Sequence, residues 1–81
     1  MSDSGSKNIS EREKEVLELV AYENTIKEVA SKLHISEHTV ISHRKNLMSK
    51  LQVKNTAGMI RRGFELGFLT LSYDDFLFVM N

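Results

Sequence analysis

The sequence predicts an all-α fold: a four-helix bundle containing a helix-turn-helix, with a short C-terminal extension. Three observations point there. Proline is absent from all 81 residues, and strand-forming residues never alternate for long, so composition favours helix over sheet. Helix-capping residues stand ahead of successive stretches whose apolar residues recur at helical spacing. Finally, residues 25–51, TIKEVASKLHISEHTVISHRKNLMSKL, read as two helices joined by a tight turn, the second of them cationic.

Size and composition bound the rest. A chain of 81 residues is one domain, near the small end of what folds without staples. Cysteine is absent, which removes disulfides and thiolate metal sites and suits a reducing cytosol, so a cytoplasmic location is expected. The longest apolar run, Phe76 to Met80, falls far short of the ~20 residues that span a bilayer. The N-terminal MSDSGSKN has no apolar segment of the signal-peptide kind. No membrane partner is expected.

The net charge of zero conceals a partition. Residues 1–24 carry a net −3, residues 25–62 a net +6, and residues 63–81 a net −3. A local cationic cluster matters more to a polyanion than the total does. An ordinary lysine-rich solvated surface explains the charge alone equally well.

Taken in order, residues 1–8 are small and polar and read as a disordered arm or linker remnant. The whole could be a small protein or the effector domain of a longer regulator. Ser10-Glu11-Arg12-Glu13 is a capping box, and Val16, Leu17, Val20 and Ala21 then recur at helical spacing. This helix should end near Glu23-Asn24, with Asn24 in the left-handed conformation. Thr25-Ile26-Lys27-Glu28 is a second capping box, and the short helix after it buries Val29, Ala30 and Leu33. Ala30 is small enough to let two crossing helices approach. His34-Ile35-Ser36 forms the turn, with Ile35 plugging the core and Ser36 capping the next helix.

The helix over 37–51 is the main observation. At ~100° per residue, Val40, Leu47 and Leu51 share one stripe, with His43 and Arg44 at its edges. The opposite side holds His38, Ser42, Lys45 and Ser49, with Ile41 and Asn46 at its margins. That face offers donors, a cation and one apolar side chain, with no carboxylate beyond the first turn, and can enter a major groove. An amphipathic helix with a merely solvated polar face is the bland alternative; the capped helix and three-residue turn ahead of it favour the groove reader.

Asn55 caps a fourth helix running to about Leu66. Ala57, Ile60 and Phe64 lie along one stripe; Met59, Gly63 and Leu66 lie on another, beside Arg62. Two apolar sides suggest that one packs on the domain and the other on a partner. Gly67 can stop this helix. Residues 70–81, with Phe76 to Met80, form an extension expected to pack on the domain or on a dimer partner.

These residues carry a resemblance. Ile9-Ser10-Glu11-Arg12-Glu13 through Leu19, Lys27-Glu28-Val29-Ala30, Ile35-Ser36-Glu37-His38-Thr39-Val40 with His43, and Lys50-Leu51 followed by Val53-Lys54-Asn55 resemble the LuxR/FixJ-type (GerE-like) DNA-binding domain of bacterial transcriptional regulators. The resemblance covers residues 9–69. It implies four helices, recognition by the third, dimerisation through the fourth and a two-fold operator. Two positions depart from the pattern. Ile41 stands where that family often has a DNA-contacting lysine, and an isoleucine there can instead touch a thymine methyl. Glu23 stands where a glycine is frequent, which leaves Asn24 as the expected turn residue.

The resulting expectation is sequence-specific binding of double-stranded DNA by a homodimer. His38, Ile41, Ser42 and Lys45 face the bases. Lys27, Thr39, Arg44, Asn46, Lys50 and Lys54 meet phosphates. Met59, Arg62, Gly63 and Leu66 form the dimer face. RNA polymerase is a further candidate partner. Two alternatives stand beside it: a module like region 4 of a sigma factor, and a helical protein–protein module. An enzyme is not expected, since no nucleophile–base pair, glycine-rich phosphate loop or paired carboxylates stand out. No cofactor, small-molecule substrate or metal is expected either: His34 and His38 are four apart, but Ser36 begins a new helix between them.

Overall fold

The structure, a computed structural model, describes residues 8–70. It contains α1 (Glu11–Ala21), α2 (Ile26–Leu33), α3 (Glu37–Leu51) and α4 (Thr56–Glu65). The described residues contain no strand, and the fold is the all-α helix-turn-helix bundle the sequence predicts. The expectations for an N-terminal arm over residues 1–7 and an extension over 71–81 lie outside the described residues.

Every helix begins on the cap its sequence offers. The Ser10 hydroxyl accepts from the Glu13 amide at 3.0 Å, and the Glu13 carboxylate accepts from the Ser10 amide at 2.9 Å. Thr25 and Glu28 repeat the exchange at 3.1 and 2.8 Å. Ser36 Oγ accepts from the Thr39 amide and Asn55 Oδ1 from the Gly58 amide. Each cap satisfies a donor that a helix N-terminus otherwise leaves unpaired.

The ends are equally uniform. Glu23, His34, Gln52 and Gly67 have φ of 68°, 59°, 58° and 84°. In each case the next amide reaches back five residues: Asn24 to Leu19, Ile35 to Ala30, Val53 to Met48 and Phe68 to Gly63. This is the left-handed stop that satisfies the last carbonyls of a helix. It corrects the expectation for α1, where Glu23, not Asn24, takes the left-handed conformation. Asn24 is occupied otherwise: its side-chain amide donates to the Leu19 carbonyl at 2.8 Å and its oxygen accepts from Lys32 at 2.7 Å.

Burial then assembles the caps into a fold. Val16 and Leu17 of α1, Val29 of α2, Val40, Leu47 and Leu51 of α3 and Met59 of α4 are all at most 1% exposed. Ala30 is also buried, as the close approach of α2 requires. Ile35 packs against this core from the turn. The third helix touches each of the other three, as α1 does, and α2 and α4 pack on that pair. Fully burying one such aliphatic side chain is worth about 1.5–3 kcal/mol, so the stripe Val40-Leu47-Leu51 fixes the rotation of α3 about its axis.

The fourth helix needs the second correction. Met59 is fully buried and Gly63 is buried too, so neither presents itself to a partner. The reason is steric. Leu69 folds back over Gly63, and a Cβ at Gly63 would stand 2.7 Å from Leu69 Cδ1 and 3.2 Å from Leu17 Cδ2. Leu66 packs against the same core, half-buried, and Arg62 holds Glu65 at 2.9 Å. The outward side of α4 is therefore the other stripe, where Ala57, Arg61 and Phe64 are exposed.

Candidate nucleic-acid interface

Because the inward stripe of α3 is fixed, its outward face is fixed with it. His38, Ile41, Ser42 and Lys45, the four expected base-facing residues, are all exposed on α3, as are Asn46 and Ser49. Positions 38, 41, 42 and 45 are spaced three or four apart, so they stack on one face of a helix. The only carboxylate in α3 is Glu37, in its first turn, where it complements the positive end of the helix dipole. The rest of the face is free of negative charge.

The residues expected at phosphates divide into two groups. Lys27, in the first turn of α2, Asn46 on α3 and Lys54 in the connector are exposed. Thr39, Arg44 and Lys50 are half-buried and already engaged within the domain. The Thr39 hydroxyl lies 2.9 Å from that of Ser36. Arg44 donates from its guanidinium to the Thr56 hydroxyl, tying α3 to the start of α4.

Lys50 is the most committed of the three. Its ammonium lies 2.8 Å from Glu13 Oε1. Glu13 is only 5% exposed and caps α1 with the same oxygen. Burial pushes the Glu13 carboxyl up, but the bonds from Lys50 and the Ser10 amide, with the charges of Lys50 and His43, outweigh burial and hold it below the ordinary 4.5. Lys50 thus braces α3 against α1, with its ammonium still partly in solvent.

Sequence reasoning missed Arg61. It lies beside Lys54, Asn55 and Gly58 around a shallow depression of about 260 Å³ at the junction of α3 and α4. Its guanidinium sits 3.4 Å from Glu65 and is well exposed. The signal was present as a cation two helical turns beyond Lys54. It could not be weighed until the outward side of α4 was known.

Among the described residues no helix is long and apolar enough to cross a membrane. His34 is the left-handed cap of α2 while His38 belongs to α3.

Two capped helices crossing at a small residue, with a carboxylate-poor second helix facing outward, define a helix-turn-helix domain. The family model for bacterial regulatory proteins of the luxR family matches residues 7–62. The chain belongs to that family, and is thereby a DNA-binding, transcription-regulating domain and not an enzyme. It is 43% identical over 63 residues to the spore germination protein GerE of Bacillus subtilis, covering 78% of this chain and 85% of that protein. It is 37% identical over 68 residues to the response regulatory protein YgeK of Escherichia coli, covering 84% of this chain and 46% of that one. With the transcriptional regulatory protein DesR of Bacillus subtilis it shares 43% identity over 60 residues, 74% of this chain and 30% of DesR. The chain spans less than half the length of YgeK and DesR.

Proposed function

We propose that this domain binds double-stranded DNA sequence-specifically, as a homodimer on a two-fold site, with α3 in the major groove. The observation that carries this reading is the α3 surface: His38, Ile41, Ser42 and Lys45 exposed together, opposite a stripe at most 1% exposed. Serine and lysine side chains reach base edges by hydrogen bonds, and the cations around them supply affinity through phosphates. Lys27, Lys54 and Arg61 stand on three different elements as phosphate-facing candidates. Arg44 and Lys50 orient the reading helix from behind.

One domain offers a small footprint, so useful affinity needs a second half-site about one helical turn away. The outward stripe of α4, with Ala57 and Phe64 flanking the half-buried Ile60, is the proposed dimer face. Arg62 and Leu66 lie at its margin. A DNA-seated regulator works in the cytoplasm, with RNA polymerase as its next partner.

Selection from a random DNA pool at two salt concentrations tests this reading. An enriched two-fold motif, with affinity falling steeply as salt rises, is the expected result. Flat binding without a motif at either salt would reject sequence-specific readout, and an enriched motif without two-fold symmetry would reject the dimer.

A further inference from the structure

We infer that Ile41 reads the 5-methyl group of a thymine, so that each half-site has a thymine opposite the middle of α3. The inference rests on the proposed DNA reading and adds the base that one named side chain selects.

Among the described residues, the large apolar side chains left exposed are Tyr22, Ile41 and Phe64. Tyr22 follows α1 and Phe64 lies on the outward stripe of α4. Ile41 alone lies on α3, 46% exposed, within a face that is otherwise polar. Its helical neighbours are Glu37 and His38 on the preceding turn and Arg44 and Lys45 on the following one, with Ser42 adjoining, all of them polar and all but the half-buried Arg44 exposed. No apolar patch surrounds it, so it is poorly suited to a protein partner and well suited to a single small apolar group. The major groove presents one such group, the thymine methyl.

Isoleucine is also stiff. In a helix a β-branched side chain is largely held to one χ1 rotamer, so its methyls are placed before any ligand arrives. The polar neighbours cannot do the same work. Thymine and uracil present the same hydrogen-bond edge to Ser42, Lys45 and His38, and differ only in the methyl.

That difference supplies the test. From the motif selected for the full chain, duplexes are made with uracil in place of each thymine in turn. They are titrated with the wild-type chain and with Ile41→Ala and Ile41→Lys. Burying one methyl-sized group predicts about a fourfold weakening per half-site at one position, confined to that position. Ile41→Ala should bind the thymine and uracil duplexes alike while melting as the wild type does. Ile41→Lys should also lose the thymine preference, and should steepen the salt dependence. Uracil tolerated at every position would overturn the inference, as would an uracil penalty that survives in Ile41→Ala. Failure to select any motif would instead overturn the DNA reading beneath it, a result seen before uracil is introduced.

Discussion

Replacing Lys45 and Lys50 one at a time separates a cation that faces DNA from one that braces the fold. Both are lysines of α3, and sequence alone treats them alike. In the structure Lys45 is exposed and pairs with no carboxylate among the described residues, whereas Lys50 lies 2.8 Å from Glu13. Each phosphate neutralised contributes about −0.9 to the slope of log affinity against log salt. With the exposed Lys27, Lys45, Lys54 and Arg61 each displacing one counterion from the proposed DNA, four contacts per domain give a dimer slope of about −7. Lys45→Ala removes one contact per half-site, so the slope should ease by about 1.8, which between 50 and 200 mM salt is roughly a tenfold smaller loss of affinity. Lys50→Met keeps the aliphatic stem and should leave the slope unchanged. It strands Glu13, 5% exposed, without its cation. Breaking a fully buried pair costs about 3–5 kcal/mol, and with Lys50 partly in solvent about 1–2 kcal/mol is expected, or roughly 5–15 °C in melting temperature. Salt titrations by fluorescence anisotropy, with thermal melts of the same samples, read both quantities. Equal slope changes in the two variants, or an eased slope with an unchanged melt for Lys50→Met, would refute the division.

Gly63→Ala forces a Cβ to within 2.7 Å of Leu69 Cδ1 in a packed site, and overpacking of this kind should cost about 1–3 kcal/mol in a urea melt; an unchanged midpoint would show that Leu69 does not seal this part of the core. Phe64→Glu puts a charge on the outward stripe of α4, and light scattering should then show a monomer whose thermal melt at low concentration matches the wild type; a dimer that persists would move the interface elsewhere. Glu13 is held below the ordinary carboxylate range, so the unfolded chain takes up the proton more readily than the fold does. Its contribution to stability is complete above pH about 4.5 and is lost as pH falls through the lowered folded value. Urea midpoints from pH 6 to 3 should therefore fall less steeply below that point for Glu13→Gln, whereas parallel curves would show the carboxylate to be thermodynamically silent.

What the sequence disclosed, and what it withheld, divides along one physical line. Caps and stripes are local: Ser10 with Glu13, Thr25 with Glu28, and Val40 with Leu47 and Leu51 each lie within a few helical turns, and the structure places all of them as their spacing requires. The outward face of α3 was legible for the same reason, since burying one stripe determines the other. The partner of a charge is set by topology. Glu13 and Lys50 are 37 residues apart, and nothing near Lys50 distinguishes it from a lysine bound for phosphate. The fourth helix was ambiguous in a different way, because its two apolar stripes are alike by hydropathy. The decision fell to Gly63, whose missing side chain admits Leu69 and Leu17. A glycine inside a helix costs about 0.5–1 kcal/mol relative to alanine, so it marks the side where backbone and neighbour must come close. Read with that cost in mind, Gly63 already points Met59 inward and leaves Phe64 facing out. Glu23 obeys the same logic in reverse. A left-handed residue is required wherever an amide must reach back five residues, and at the end of α1 the position of Asn24, already bonded to Leu19 through both backbone and side chain, leaves the strain to its neighbour.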